Sequence, residues 1–111
     1  MDKDINKSLS GFPFLVSICL HREIRELKAS PFDLSLKLQS HGGACICATF
    51  LFVHDIRIGD IDNLYRIIFN VTDISKKQIE GATFQVSDIE NDTLSFTCRE
   101  IMIEKIGDLN I

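Results

Sequence analysis

An alternation of apolar and polar residues with period two runs along most of this chain and constrains its fold more than any other feature. In "FDLSLKLQ", Leu34, Leu36 and Leu38 fall on one side while Ser35, Lys37 and Gln39 fall on the other. The same beat places Phe84 with Val86 in "TFQVS", Leu94 with Phe96 and Cys98 in "TLSFTC", and Ile101 with Ile103 in "EIMIEKI". Successive side chains of an extended strand point to opposite faces, so this pattern predicts strands with one buried face. "FPFLVSICL" predicts another, with Phe14, Val16, Ile18 and Leu20 together, and "NLYRIIFNV" a further one through Ile67, Phe69 and Val71. "ACICATFLFV" is apolar on both sides and predicts a central strand covered on both faces, continuing through Ile56 and Ile58 to Gly59.

Turn residues separate these runs. "SHGG" and "DIEND" carry the Gly, Asn and Asp that suit tight turns, and Pro31 places a loop before Phe32. "HREIRELK" reads either as a helical turn, with Ile24 and Leu27 three apart, or as a charged strand end. "DISKKQIEG" predicts a short helix, Ser75 and Gln78 forming a capping box and Gly81 the stop. Residues 1–11 predict a flexible polar lead-in. The expected architecture is one domain over residues 1–111, mainly β and α+β at most. It is an antiparallel sheet or sandwich of about seven or eight short strands with one short helix.

Charge and cysteine usage then narrow the function. The net charge of −4 argues against nucleic-acid binding, which needs a basic stripe. Residues 1–40 carry six basic and five acidic side chains, whereas residues 41–111 carry six basic and eleven acidic. That excess, gathered on one face, would steer a basic partner. The longest apolar run is about ten residues, too short to cross a bilayer. With no apolar stretch behind a basic start, the expected location is the cytoplasm and the four cysteines are expected as free thiols. Cys45 and Cys47, two apart inside a strand, read as small core residues; zinc sites space cysteines more widely, on turns. "GDIDN" opens like a calcium loop but lacks the glycine and glutamate needed downstream. No metal site, cofactor or catalytic constellation is expected, because every cysteine sits at an apolar strand position that raises a thiol pKa.

Three segments in succession carry a resemblance: "VSICLHREI…SPFDLSLKLQS", "ATFLFVHDIRIGDIDNLYRIIF" and "EGATFQVSDIENDTLSFTCREIMIEKI". From about Gly11 to Ile106 the chain resembles the immunity protein 50 family of bacterial polymorphic-toxin systems. The resemblance implies a cytoplasmic, non-enzymatic protein that binds and neutralises a cognate toxin domain. Nuclease toxins are basic because they bind phosphate backbones, and an acidic face can occupy that groove. The candidate partner-binding residues are Asp60 and Asp62 with Tyr65 nearby, and Asp88, Glu90 and Asp92 in the "DIEND" turn and its flank. Tyr65 is the only tyrosine, a residue type favoured at binding hot spots. The bland alternatives are a half-buried strand residue for Tyr65 and a plain hairpin connection for "DIEND". At the level of the whole protein the alternative is a small structural or adaptor domain that self-associates through an open sheet edge.

Overall fold

The computed structural model describes residues 2–60, 62, 64–77 and 82–108. A helix, α1 (Asp2–Ser10), precedes nine strands: β1 (Phe14–His21), β2 (Ile24–Arg25), β3 (Lys28–Ala29), β4 (Phe32–Gln39), β5 (Ala44–Ile58), β6 (Phe69–Asp73), β7 (Phe84–Asp88), β8 (Leu94–Cys98) and β9 (Glu100–Asp108). Seven of them form one antiparallel sheet in the order β1-β4-β5-β8-β7-β6, with β9 also on β5, and β2 pairs with β3 alone. The mainly β fold read from the alternation is the fold observed.

The long strand β5 is the spine. β8 and β9 run along it in succession, with Leu94 opposite Ile58, Thr97 opposite His54, Glu100 opposite Leu51 and Asp108 opposite Ala44. Arg99 interrupts them, and its N–H still donates to the Leu51 carbonyl at 2.8 Å. β5 bends at Phe52 (φ 56°) and Asp55 (φ 54°), close to where its registers with β4 and β8 shift. Such bulges turn a strand sharply. The bends separate a layer of β1, β4, β9 and the first half of β5 from a layer of β6, β7 and β8. Leu34, Leu36, Leu38, Ile46, Ala48 and Phe50 of the first layer and Val71, Val86, Leu94, Phe96 and Cys98 of the second are almost fully buried in one cluster. Phe50 meets Phe96 edge to face at 4.8 Å. Each large apolar side chain so buried contributes about 1.5–3 kcal/mol.

The sheet also curls back on itself. The Leu15 N–H donates to the Tyr65 carbonyl at 2.9 Å and the Ile67 N–H to the Pro13 carbonyl at 2.7 Å. These bonds join the start of β1 to the segment entering β6, and they carry Tyr65 to that corner.

Four details differ from the alternation taken literally. The register of β1 shifts at Val16, so Leu15, not Phe14, lies opposite the buried Leu38 on the side of Ile18 and Leu20. Val16, Ile18 and Leu20, expected on a buried face, are exposed because β1 lies at the sheet edge. One extra residue reverses every side chain beyond it. The second face of β5 is only half-buried at Cys47, Thr49 and Leu51, because among the described residues no third layer lies over it. Residues 2–10, expected as a loose lead-in, form α1: Ile5 and Leu9 lie four apart, one turn of helix, with Leu9 buried in the core cluster. Asn6 then pairs with both backbone groups of Val71, accepting from its N–H at 2.7 Å and donating to its carbonyl at 3.0 Å. Helix α1 thus covers the edge of β6. The helix expected at "DISKKQIEG" is a 3-10 turn at Ser75–Lys77, where the Ser75 N–H and hydroxyl both donate to Asp73. Gln78 and Gly81 lie outside the described residues.

"HREIRELK" is neither helix nor strand end but the projecting β2–β3 hairpin. Residues 21–29 are all exposed. Its two-residue turn, Glu26 (φ 51°) and Leu27 (φ 65°), has both central residues left-handed. That geometry favours Asn-Gly, and each side chain forced into it costs about 1–2 kcal/mol.

Candidate partner-binding face

Two loops, residues 59–68 and 88–93, meet at the corner where the sheet curls back. The Gly59 N–H donates to the Thr93 carbonyl at 2.8 Å, and the Ile89 N–H to the Ile68 carbonyl at 2.9 Å. Their fastener is Asp88, which is 1% exposed. One carboxylate oxygen accepts from the N–H groups of Ile68 at 3.2 Å and Glu90 at 3.1 Å. The other accepts from the Thr93 hydroxyl at 2.7 Å and the Thr93 N–H at 3.4 Å. Desolvation pushes the carboxyl pKa up, but the donors, led by the Thr93 hydroxyl, outweigh it and hold Asp88 below the ordinary carboxylate range. Of the six residues picked from the sequence, Asp88 is therefore turned inward and presents no carboxylate to a partner.

The other five share this corner and are exposed. Asp60 accepts from the Asp62 N–H at 3.0 Å, a local turn that shapes its loop. Asp92 has a left-handed backbone (φ 52°), which aspartate tolerates better than most residues. Glu90 lies 3.9 Å from Arg66, a partly exposed pair of little energetic weight. Asp62, Tyr65, Arg66, Asn91 and Thr93 line one open depression of about 350 Å³, so the loops form a single surface. Tyr65 is also a wall of a second depression, of about 340 Å³, with Phe14, Ser40 and His41. Its ring packs 5.5 Å from that of Phe14, which meets His41 edge on at 4.8 Å. Tyr65 is 66% exposed, not the half-buried strand residue of the bland reading.

Apolar residues that the charge argument passed over complete the face. Ile89 is 65% exposed between Asp88 and Glu90, and Ile68 is 38% exposed beside it on the adjoining loop. A turn sheltering no core needs no isoleucine at its apex, so Ile89 in "DIEND" was the available signal. The two loops thus expose aromatic and aliphatic side chains together with carboxylates and Arg66, a mixture found in protein-binding patches.

The thiols divide. Burial pushes Cys98 to about 12 and Cys45 is buried as well, whereas Cys47 is half-buried and Cys19 exposed. The sheltered apolar position expected of every cysteine thus holds for two of the four. Among the described residues no group of three or more His, Cys, Asp or Glu side chains could hold a metal ion. No helix among the described residues is long and apolar enough to cross a membrane.

No curated protein and no solved structure matches the chain. A family model does, over residues 3–104, and its description is immunity protein PIM8. The match supports the immunity-protein expectation at that general level and supplies a different family from immunity protein 50. With nearly its full length matched, from α1 through most of β9, this chain belongs to the immunity protein PIM8 family.

Proposed function

We propose that this protein neutralises a basic toxin domain by covering its working groove with the corner formed by residues 59–68 and 88–93. The observation that carries the reading is the convergence of two sequence-distant acidic loops. They carry Asp60, Asp62, Glu90 and Asp92 together with exposed Tyr65 and Ile89. The carboxylates steer and orient a cationic partner, and the exposed apolar side chains supply desolvated contact area. The protein acts by occupation, without catalysis, on a toxin of its own system in the bacterial cytoplasm. Membership of an immunity family supports a toxin partner in general, and the acidic corner supports its being basic.

The test is co-expression with the C-terminal domain encoded next upstream, read as growth and as co-purification. Rescue and capture by the wild type, both lost when Asp60, Glu90 and Asp92 are changed to Lys, support the reading. A neighbour that is harmless, or uncaptured, overturns it. The second reading, self-association, is favoured by one observation: β9 pairs only with β5 among the described residues. A mass that rises with concentration would support it. Glu100, Glu104 and Lys105 on that strand disfavour edge-to-edge pairing, which ranks it second.

A further inference from the structure

We propose that the β2–β3 hairpin is a second anchor on the same toxin domain, with Leu27 seated in an apolar pocket outside the basic groove. This inference rests on the function proposed above. Three features of the hairpin work against its own stability. Its turn uses Glu26 and Leu27 where two left-handed residues are required. Arg25 lies directly opposite Lys28, a like-charge pair that its exposed 3.0 Å ion pair with Glu23 offsets only slightly. Leu27 is 100% exposed at the tip and Ile24 is 68% exposed behind it. Among the described residues the Leu27 side chain is sheltered by no neighbour, and β2 and β3 pair only with each other.

The base of the hairpin is, by contrast, firmly mounted. The Arg22 guanidinium lies 3.7 Å over the Phe32 ring. The Glu23 N–H donates to the Ser30 hydroxyl oxygen, and the Ser30 N–H to the Glu23 carbonyl, both at 2.9 Å. A fixed stem with an apolar tip is pre-organised for insertion, because little ordering remains to be done on binding.

Position and charge indicate the partner. β1 has eight residues and separates the hairpin from the Tyr65 corner, about 25 Å at strand rise. That distance lies within the span of one standard protein interface. Residues 22–28 carry Arg22, Arg25 and Lys28 against Glu23 and Glu26, a balance opposite in sign to the acidic corner. The pocket taking Leu27 has an acceptor at its rim for Lys28, Arg25 being already paired with Glu23 at 3.0 Å. Two contacts of opposite polarity fix the partner's orientation as well as its affinity.

The experiment uses the full chain and the purified C-terminal domain encoded next upstream as the probe, with Kd by titration calorimetry and Tm by scanning calorimetry. The double variant Glu26→Asn, Leu27→Gly installs the favoured turn, so its Tm is expected at or above wild type. Its Kd is expected to weaken about tenfold or more, as is that of Leu27→Asp. Both weakened at an unreduced Tm for the double variant supports the anchor. A double variant binding within about twofold of wild type, while charge reversal at Asp60, Glu90 and Asp92 abolishes capture, overturns the anchor and leaves the proposed function standing. No capture by the wild type overturns both.

Discussion

The two ends of β1 carry exposed, charged turns built on opposite plans. At the Phe14 end, the "DIEND" turn is bound from within: the buried Asp88 takes four hydrogen bonds from Ile68, Glu90 and Thr93 and clamps one loop against another. At the His21 end, the β2–β3 hairpin has a fixed stem, but its turn is left strained and its leucine bare. Both look like polar surface in a hydropathy reading. The difference teaches that an acidic residue in a turn can be structural glue, and that an apolar residue in a charged hairpin is the better candidate for outward contact. Charge alone ranks Asp88 above Leu27, and burial reverses the order.

The contrast is easiest to break at Asp88. Asp88→Ala removes the acceptor from an enclosed site and leaves the Thr93 hydroxyl and three N–H groups without it. A loss of about 3 kcal/mol or more is expected, read as a lower urea midpoint. The same contact sets an acid limit. The folded pKa of Asp88 lies below the ordinary 3.8, so its contribution is fully present above the unfolded value and is lost as pH falls through the folded one. The stability gap between wild type and Asp88→Asn is therefore expected to hold near pH 6 and to narrow below about pH 4, the ordinary carboxylate range. A gap unchanged down to pH 2 would remove the ionised carboxylate from the account.

Next in size is the effect of charge on the exposed corner. Changing Asp60, Glu90 and Asp92 to Lys is expected to weaken toxin capture about a hundredfold, or ~2.7 kcal/mol. The unfolding midpoint should fall by less than for Asp88→Ala, since these side chains are exposed, although Asp60 holds the Asp62 N–H and Asp92 has a left-handed backbone that Lys tolerates less well. A stability loss matching that of Asp88→Ala would erase the distinction between fastener and face. At the other end, the Asn-Gly hairpin variant is expected to gain about 1 kcal/mol of stability by relieving the turn. A clear loss in its melting temperature would show that Glu26 and Leu27 support the fold. Smallest is Arg66→Ala. The 3.9 Å pair with Glu90 is partly exposed, and its removal should change stability by less than about 0.5 kcal/mol.

Much of the fold was legible because the period of two is imposed locally. Leu34, Leu36 and Leu38 had to share a face, as did Leu94, Phe96 and Cys98, and both sets are buried. Helix α1 escaped notice because its apolar face shows only Ile5 and Leu9 among polar residues, and such a short helix draws most of its stability from packing. The bulge at Val16 was invisible for a similar reason, since the partner strand sets the register. The candidate face was half legible. The acidic residues were conspicuous in the sequence, whereas Ile89 and the burial of Asp88 depend on how two loops meet.

By itself the sequence determined a two-faced β chain, acidic over its later two thirds, with turns at "SHGG" and "DIEND". Those properties follow from side-chain period, net charge and turn chemistry, all of which act over a few residues. Only the tertiary structure decided that β5 bends twice, that residues 65–67 bond to the start of β1, and that loops 59–68 and 88–93 become one surface. It also decided which carboxylate faces inward, because burial and hydrogen-bond satisfaction at Asp88 depend on donors from Ile68 and Thr93. Those donors arrive only when distant strands pack, and no local pattern records their meeting.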